Sequence, residues 1–219
     1  VATIERGTDL QQAIAGLSVR SGDLHRYFVE SLVDHLPPEA ARFLVLVSFV
    51  DNLSPALCEA ITLQPDSAAS LARLRELTPI FAESVDSDWL RIHPLAREFL
   101  LARFALLPEA ERREYHARAA RWLEAHGLCE EAARQMLEAG LVDTAYGLVA
   151  RVLHDVLIRG QVSVVADWIE RLPQAEILGR TSLRLTVGWI LAQSDRHAEA
   201  AQLVGPIVDD PAADGGDRC

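Results

Sequence analysis

Thr78-Pro-Ile-Phe-Ala-Glu-Ser-Val-Asp-Ser-Asp-Trp-Leu-Arg-Ile-His-Pro-Leu-Ala-Arg-Glu-Phe-Leu100 is the stretch on which the fold turns. Two short apolar runs, Ile80-Phe81 and Trp89-Leu-Arg-Ile92, flank Asp86-Ser-Asp88. Strand-forming residues on both sides of an acidic turn predict an antiparallel hairpin. His93-Pro94 closes it, and a helix is expected from Pro94 to about Leu107, because proline suits the first position of a helix.

Upstream the pattern is helical. Residues 1–22 hold a short helix around Asp9–Ala15 and a linker, and residues 1–16 read as the end of a preceding domain. Ser21 is placed to cap a helix from Asp23 to about Leu36. Pro37-Pro38 ends it, and Pro38 opens a second helix to about Val50 whose run Phe43-Leu-Val-Leu-Val-Ser-Phe-Val50 is apolar all round, the mark of a buried helix. Ser54-Pro55 opens a third, through Ile61. Asp66 should cap a fourth, to about Leu77, with Leu71, Leu74 and Leu77 on one face. Helices followed by a hairpin give the order of a winged helix, expected over residues 17–107.

Downstream, the chain reads as helix throughout, with an internal period. Leu123, Gly127, Glu131 and Ala132 align with Leu191, Asp195, Glu199 and Ala200 at an offset of 68 residues. Leu157 and Ala166 fall midway, with Gly160 one residue out of register. A helix–turn–helix period of 34 is the tetratricopeptide spacing, in which small residues let paired helices approach. Three units are expected, at 108–141, 142–175 and 176–209, with 210–219 disordered. The fold class is therefore mainly α: a winged helix (helices plus one β-hairpin) followed by a tetratricopeptide-like α-superhelix.

Composition removes several functions. The 219 residues carry 21 cations, all arginine, against 32 acids, a net charge of −11. Without lysine there is no P-loop and no Schiff-base chemistry in this chain. Cys58, Cys129 and Cys219 form no Cys-x-x-Cys pair, and the seven histidines (25, 35, 93, 116, 126, 154 and 197) lack zinc-site spacing, so no metal is expected. No Gly-x-Ser-x-Gly elbow occurs, and Glu83, Asp86 and Asp88 read as a solvated turn, so no catalytic residue is assigned. The longest apolar run is too short for a membrane span. Absence of a signal peptide and sparse cysteine point to a cytoplasmic protein. The chain begins at Val1 and ends in an acidic Gly/Asp stretch, and it reads as a piece of something longer.

Three further groups of residues invite a functional reading. Arg73 and Arg75 would lie on the recognition helix of a DNA-binding winged helix. Residues 66–103 sum to −1, however, and phosphate neutralisation needs a basic stripe. Arg112, Arg113, Arg118, Arg121 and Arg134 interleave with glutamates, either as an ion-laced helix surface or as an anion- or NTPase-docking face. Trp122, Trp168 and Trp189 are expected in the core of the repeats, with an aromatic ligand wall as the other reading.

Trp89-Leu-Arg-Ile-His-Pro-Leu-Ala-Arg-Glu-Phe-Leu100 resembles a stretch of the MalT-like regulators of the LuxR type, ATP-dependent transcription activators of the signal-transducing NTPase (STAND) class. The run from Tyr27 to Leu44, the turn Asp51–Cys58 and the helices from Tyr115 to Gly140 are similar to the same family in the same order, covering residues 17–175. One departure is Ala96, where the family carries an aromatic or large apolar residue. The resemblance implies a switch and sensor segment that relays inducer or partner binding on the repeats to a nucleotide-binding domain outside this chain. It implies ATP/ADP as ligand of the parent protein, with none held by the segment itself. DNA would be contacted through a separate C-terminal domain, and self-association would accompany activation. It also implies that His93, at the hairpin-to-helix junction, reaches the β-phosphate of ADP in the resting state; an imidazole N–H beside a helix N-terminus suits that task. On the residues alone, a histidine that merely caps the hairpin stays open. So does a repeat scaffold for protein partners with no transcription role. No residue marks the inducer.

Overall fold

The computed structural model describes residues 33, 35–78, 80–82, 89–160, 169 and 171–208. The expected helices at Asp9–Ala15 and, for most of its length, Asp23–Leu36 lie outside them, as do the acidic turn with Glu83, Asp86 and Asp88, residue Trp168 and the tail 210–219. The chain divides into two compact units, Val1–Trp122 and Leu123–Cys219.

In the first unit, α1 (Pro38–Val47), α2 (Pro55–Thr62) and α3 (Ser67–Leu77) precede β1 (Phe81–Ala82) and β2 (Arg91–Ile92), and α4 (Pro94–Phe104) follows. Pro38, Pro55 and Pro94 all stand at helix starts, where the missing N–H costs nothing. Ser54 caps α2 as expected: its extended backbone lets Oγ accept from Leu57 N at 3.2 Å. Asp66 occupies the cap position of α3 but makes no side-chain cap bond; Ser67 Oγ instead donates back to Gln64 O at 2.8 Å. α1 stops at Val47, short of Val50, where Ser48 Oγ donates to Val45 O at 2.9 Å. Phe43, Leu44, Leu46 and Val47 are buried, as an apolar helix requires. Leu71 and Leu74 are buried too, but Leu77 is 48% exposed: it lies in the last turn of α3, beyond the reach of the core.

The hairpin forms with Phe81 opposite Ile92 and Ala82 opposite Arg91. A third short segment joins it. Leu53 and Leu90 exchange backbone hydrogen bonds of 2.8 and 2.9 Å, so the turn before α2 is tied to the wing. α1 packs on α2 and α4, and α2 on α3. Phe49, just past α1, stacks on Phe104 at the end of α4 at 5.0 Å, and both meet His116 of α5 (Glu109–Ala125), at 4.4 and 5.5 Å between ring centroids. Fully burying such side chains contributes on the order of 2–3 kcal/mol each.

In the second unit, α6 (Cys129–Glu138) packs on α7 (Val142–Ile158) and α9 (Thr181–Gln193) on α10 (His197–Val208), with the short α8 (Gln174–Gly179) against α9 and with α9 against α7. A spacing close to 34 residues, 33 then 35, reappears in three of the turns. Gly127, Gly160 and Asp195 all adopt left-handed backbone, with φ of 76°, 78° and 56°. Leu128 N donates to Leu123 O and Arg196 N to Leu191 O, each at 2.9 Å, the six-to-one bond of a helix C-cap. The two accepting leucines are the pair aligned at 68 residues. Glycine suits such a site because it has no Cβ to crowd, and aspartate tolerates it because its short polar side chain can hydrogen-bond the local backbone. Between α9 and α10 the approach is close enough to need glycine: a Cβ on Gly188 would lie 2.3 Å from Val204 Cγ2 and 4.0 Å from Ala200 O. Arg180, at the start of α9, pairs with Asp143 of α7 and with Glu176 of α8 and lies over the Tyr146 ring at 4.9 Å.

Candidate functional site

The wing-to-helix junction gathers the residues with chemical potential. His93 is the N-cap of α4. Its main-chain N–H donates to Ile80 O at 2.7 Å, its carbonyl accepts from Arg97 N at 2.9 Å, and Nδ1 accepts from Leu95 N at 3.4 Å. A neutral imidazole that accepts at Nδ1 carries its proton on Nε2. The side chain is exposed, so a donor N–H stands beside the positive end of an 11-residue helix. His93 thus caps the helix through Nδ1, and its Nε2–H lies at the exposed side.

One turn further along α4, Arg97 reaches back across the fold. Its Nε donates to Ser48 O at 2.9 Å, one terminal nitrogen donates to Phe49 O at 3.1 Å, and the same nitrogen pairs with Asp51 at 2.9 Å. The carbonyls just past α1 have no helical partner and need a donor; Arg97 supplies two. Arg91 of β2 donates from Nε to Asn52 Oδ1 at 2.7 Å. These contacts frame an open groove of about 510 Å³ beside His93, lined by Asp51, Asn52, Arg91, Pro94, Arg97 and Glu98 among others. Neither Arg97 nor Asn52 was marked by sequence reasoning. The available signal was the four-residue step from His93 to Arg97, which sets them one helical turn apart. Ala96, the small residue in this segment, is buried at 1% exposure.

The remaining sequence candidates separate. Outward on α3 lie Ala68, Ala69, Ala72, Arg73, Arg75 and Glu76, a face poor in cations. Within the arginine group of α5, Arg113 pairs with Glu109, Arg118 with Glu114 at 2.9 Å and Arg121 with Glu114 at 3.6 Å, while Arg112 donates to Leu107 O at 3.2 Å. That is the ion-laced surface, and exposed pairs of this kind contribute little. Arg118 also donates to Ile61 O at 3.3 Å, tying α5 to the end of α2. Trp122 is half-buried and meets Trp89 of the wing edge-on at 6.2 Å. Trp189 departs from the expectation of a core residue. It is 49% exposed, with the His154 ring of α7 edge-on at 5.6 Å, because α9 turns its buried face (Leu183, Val187, Ile190) the other way. Cys58 is fully buried and its thiol is pushed up to about 12 by burial, which removes it as a nucleophile. Among the described residues, no three His, Cys, Asp or Glu side chains are grouped to hold a metal, and no helix is long and apolar enough to cross a membrane.

Residues 29–115 match the family model of the MalT winged helix domain. The chain is 26% identical over 200 residues to the serine/threonine-protein kinase PknK of Mycobacterium tuberculosis (strain H37Rv), covering 90% of this chain and 18% of that protein. It is 24% identical over 193 residues to the HTH-type transcriptional regulator MalT of Serratia proteamaculans, 87% of this chain and 21% of the relative. Against the HTH-type transcriptional regulator AlkS of Alcanivorax borkumensis it is 23% identical over 188 residues, 81% and 21% respectively. The chain spans about a fifth of the length of the curated relatives it matches.

Proposed function

Because residues 29–115 carry a MalT-type winged helix, we propose that the chain is the switch and sensor segment of a larger MalT-like, ATP-dependent transcription regulator. The observation that carries this is the extent of the similarity. It runs past the winged helix into the helical pairs, over 81–87% of the chain for the MalT and AlkS relatives. The proposed division is a winged helix at 17–107 and three tetratricopeptide-like units at 108–209. The left-handed turns at Gly127, Gly160 and Asp195 support the latter. The repeats receive an inducer or partner protein, and the winged helix relays the event to a nucleotide-binding domain elsewhere in the parent. For the relay to operate, the inducer must favour the active state over the resting one.

His93 is the proposed nucleotide-sensing residue. ATP or ADP would be bound mainly by the parent's nucleotide domain; what this chain adds is a donor. The exposed Nε2–H suits a phosphate oxygen, and the Leu95 bond to Nδ1 holds the ring in that tautomer. DNA contact is assigned to another part of the parent, in keeping with the cation-poor face of α3. In the full-length protein, His93→Ala is expected to weaken ADP binding about tenfold, the order expected for losing one charge-assisted hydrogen bond, and to raise basal transcription. Unchanged ADP affinity together with unchanged basal activity would overturn the assignment.

A second reading has its own support. The similarity to PknK covers 90% of the chain and that to MalT 87%, so similar segments occur in polypeptides named for kinase and for regulatory activity alike. It would then be a regulatory module whose output depends on what it is joined to, or a scaffold for protein partners without a transcription role. Sequencing the native reading frame on both sides separates these readings. A Gly-x-x-x-x-Gly-Lys-Ser/Thr segment upstream with a basic helix-turn-helix downstream supports the regulator. A protein-kinase signature set makes it a kinase module.

A further inference from the structure

We propose that Arg91, held in place by Asn52, is a second anion contact on the face of the wing that carries His93, and that it takes the diphosphate of ADP. The proposal rests on the nucleotide-sensing reading above and adds a residue to it. The strand supplies the first argument. Side chains alternate along an extended chain. Arg91 and His93 are exposed while Ile92 between them is buried, so the two stand on one face, about 6–7 Å apart along the backbone.

The hydrogen bonding supplies the second. Arg91 Nε donates to Asn52 Oδ1 at 2.7 Å, within the turn that the Leu53–Leu90 backbone pair ties to the wing. That bond uses the one N–H that an end-on grip does not need. Nη1 and Nη2 take no part in it, and together they form the fork that meets two oxygens of a phosphate. The acceptor is also neutral. Arg97 is matched by Asp51, and Arg113, Arg118 and Arg121 by Glu109 and Glu114. Arg91 is oriented by an amide, which fixes its direction without cancelling its charge. Arg91 and Asn52 both line the open groove of about 510 Å³. Of the two carboxylates there, Asp51 is paired with Arg97 and Glu98 has a partner of its own. An open groove offers one wall of a site, which suits a nucleotide whose other contacts come from the parent's nucleotide domain.

The test measures ADP and AMP binding by the full-length parent and its variants, by titration calorimetry. Arg91→Ala is expected to weaken ADP roughly tenfold, the order for losing hydrogen bonds to a charged group. AMP, which lacks the second phosphate, should bind as before. Arg91→Lys should recover little, because an ammonium is not a fork. Asn52→Ala should weaken ADP less, about threefold, by releasing the guanidinium from its fixed direction. The Arg91–Asn52 bond is exposed, so thermal unfolding of each variant should stay close to wild type; if Arg91→Ala misfolds, Arg91→Gln carries the test. Unchanged ADP affinity in Arg91→Ala, an equal loss of ADP and AMP, or full rescue by lysine overturns the proposal. Unchanged ADP affinity with altered basal transcription also overturns it, and sets Arg91 against a carboxylate elsewhere in the parent. His93→Ala separates the two readings. If it leaves ADP binding intact while Arg91→Ala weakens it, the role of His93 fails and that of Arg91 stands; the reverse result removes Arg91 alone. A parent that binds no ADP overturns both.

Discussion

The two units are held together by different means. In Val1–Trp122 the decisive contacts join residues far apart in sequence: Arg97 to Ser48 and Phe49, Leu90 to Leu53, and Phe49 and Phe104 to His116. In Leu123–Cys219 left-handed turns recur 33 and 35 residues apart at Gly127, Gly160 and Asp195, and a close approach such as that of Gly188 to Val204 joins neighbouring helices. A unit of the first kind fails as a whole when one anchor is lost. A unit built from stacked pairs yields locally, because each pair contacts only its neighbours.

The largest effect expected is that of Phe104→Ala. It deletes the ring packed against both Phe49 and His116 and should destabilise the first unit by about 3–5 kcal/mol, read by denaturant unfolding. Cleavage between residues 105 and 115, slow in the wild type if α5 is anchored by this aromatic knot, should accelerate in the variant. Fast cleavage of the wild type would break the picture of a stiff connector.

Gly188→Ala comes next and tests the second unit. The new methyl group meets Val204 at 2.3 Å, and overpacking of this sort costs about 1–3 kcal/mol. The contrast lies in extent. Hydrogen exchange should rise in α9 and α10 while α1–α4 stay protected. Loss of protection throughout the chain would mean that the two units do not unfold separately.

Arg97→Ala should cost about 1–2 kcal/mol, since it strips donors from the carbonyls of Ser48 and Phe49 in a partly exposed setting. Arg97→Lys should recover little of this, as one ammonium cannot reproduce the guanidinium fork. A full rescue by lysine, measured by thermal unfolding, would reduce the contact to simple charge.

These contrasts explain what sequence could reveal. The proline-led helices, the hairpin and the Ser54 cap were legible because each depends on local chemistry. The period was legible because Leu123 and Leu191 each accept the same turn bond, and repetition makes a weak signal visible. The Leu53–Leu90 pairing and the reach of Arg97 were not, since nothing local distinguishes an arginine that crosses the fold from one that faces water. Asp66 had the right position for a cap, but its backbone (φ −92°, ψ 24°) is not the extended one that usually aims a capping carboxylate. Trp189 is expected in the core from its place within a repeat's helices, but its helix turns other residues inward. His93 is proposed on resemblance; its tautomer follows from the Leu95 N–H bond to Nδ1.

The pH dependence of stability follows from Cys58 of the first unit and Tyr146 of the second. Burial raises both, Cys58 from 9.0 to about 12, with Glu176 adding to the rise of Tyr146. For a group whose folded value lies above its unfolded one, the stabilisation is complete below the unfolded value and is lost as pH rises through the folded one. Unfolding free energy should therefore fall steadily from about pH 9 towards pH 12, and Cys58→Ala should flatten that slope in the first unit only. At neutral pH a thiol reagent should modify Cys58 only after unfolding, while half-buried Cys129 reacts sooner.

The smallest effect is a gain. Leu63 ends α2 in left-handed backbone, φ 58°, with its N–H on Glu59 O at 2.7 Å and a side chain 65% exposed. A leucine there is strained and buries little in return. Leu63→Gly relieves the Cβ crowding, and although glycine loses more chain entropy on folding, the balance should favour the variant by about 0.5–1 kcal/mol. If stability falls instead, Leu63 makes a contact worth more than its strain, and the end of α2 belongs with the anchored core of the first unit. If it rises as expected while the full-length protein loses regulation, the strained leucine is kept for a partner, and this C-cap joins the wing junction as part of the surface by which the first unit meets the rest of its parent.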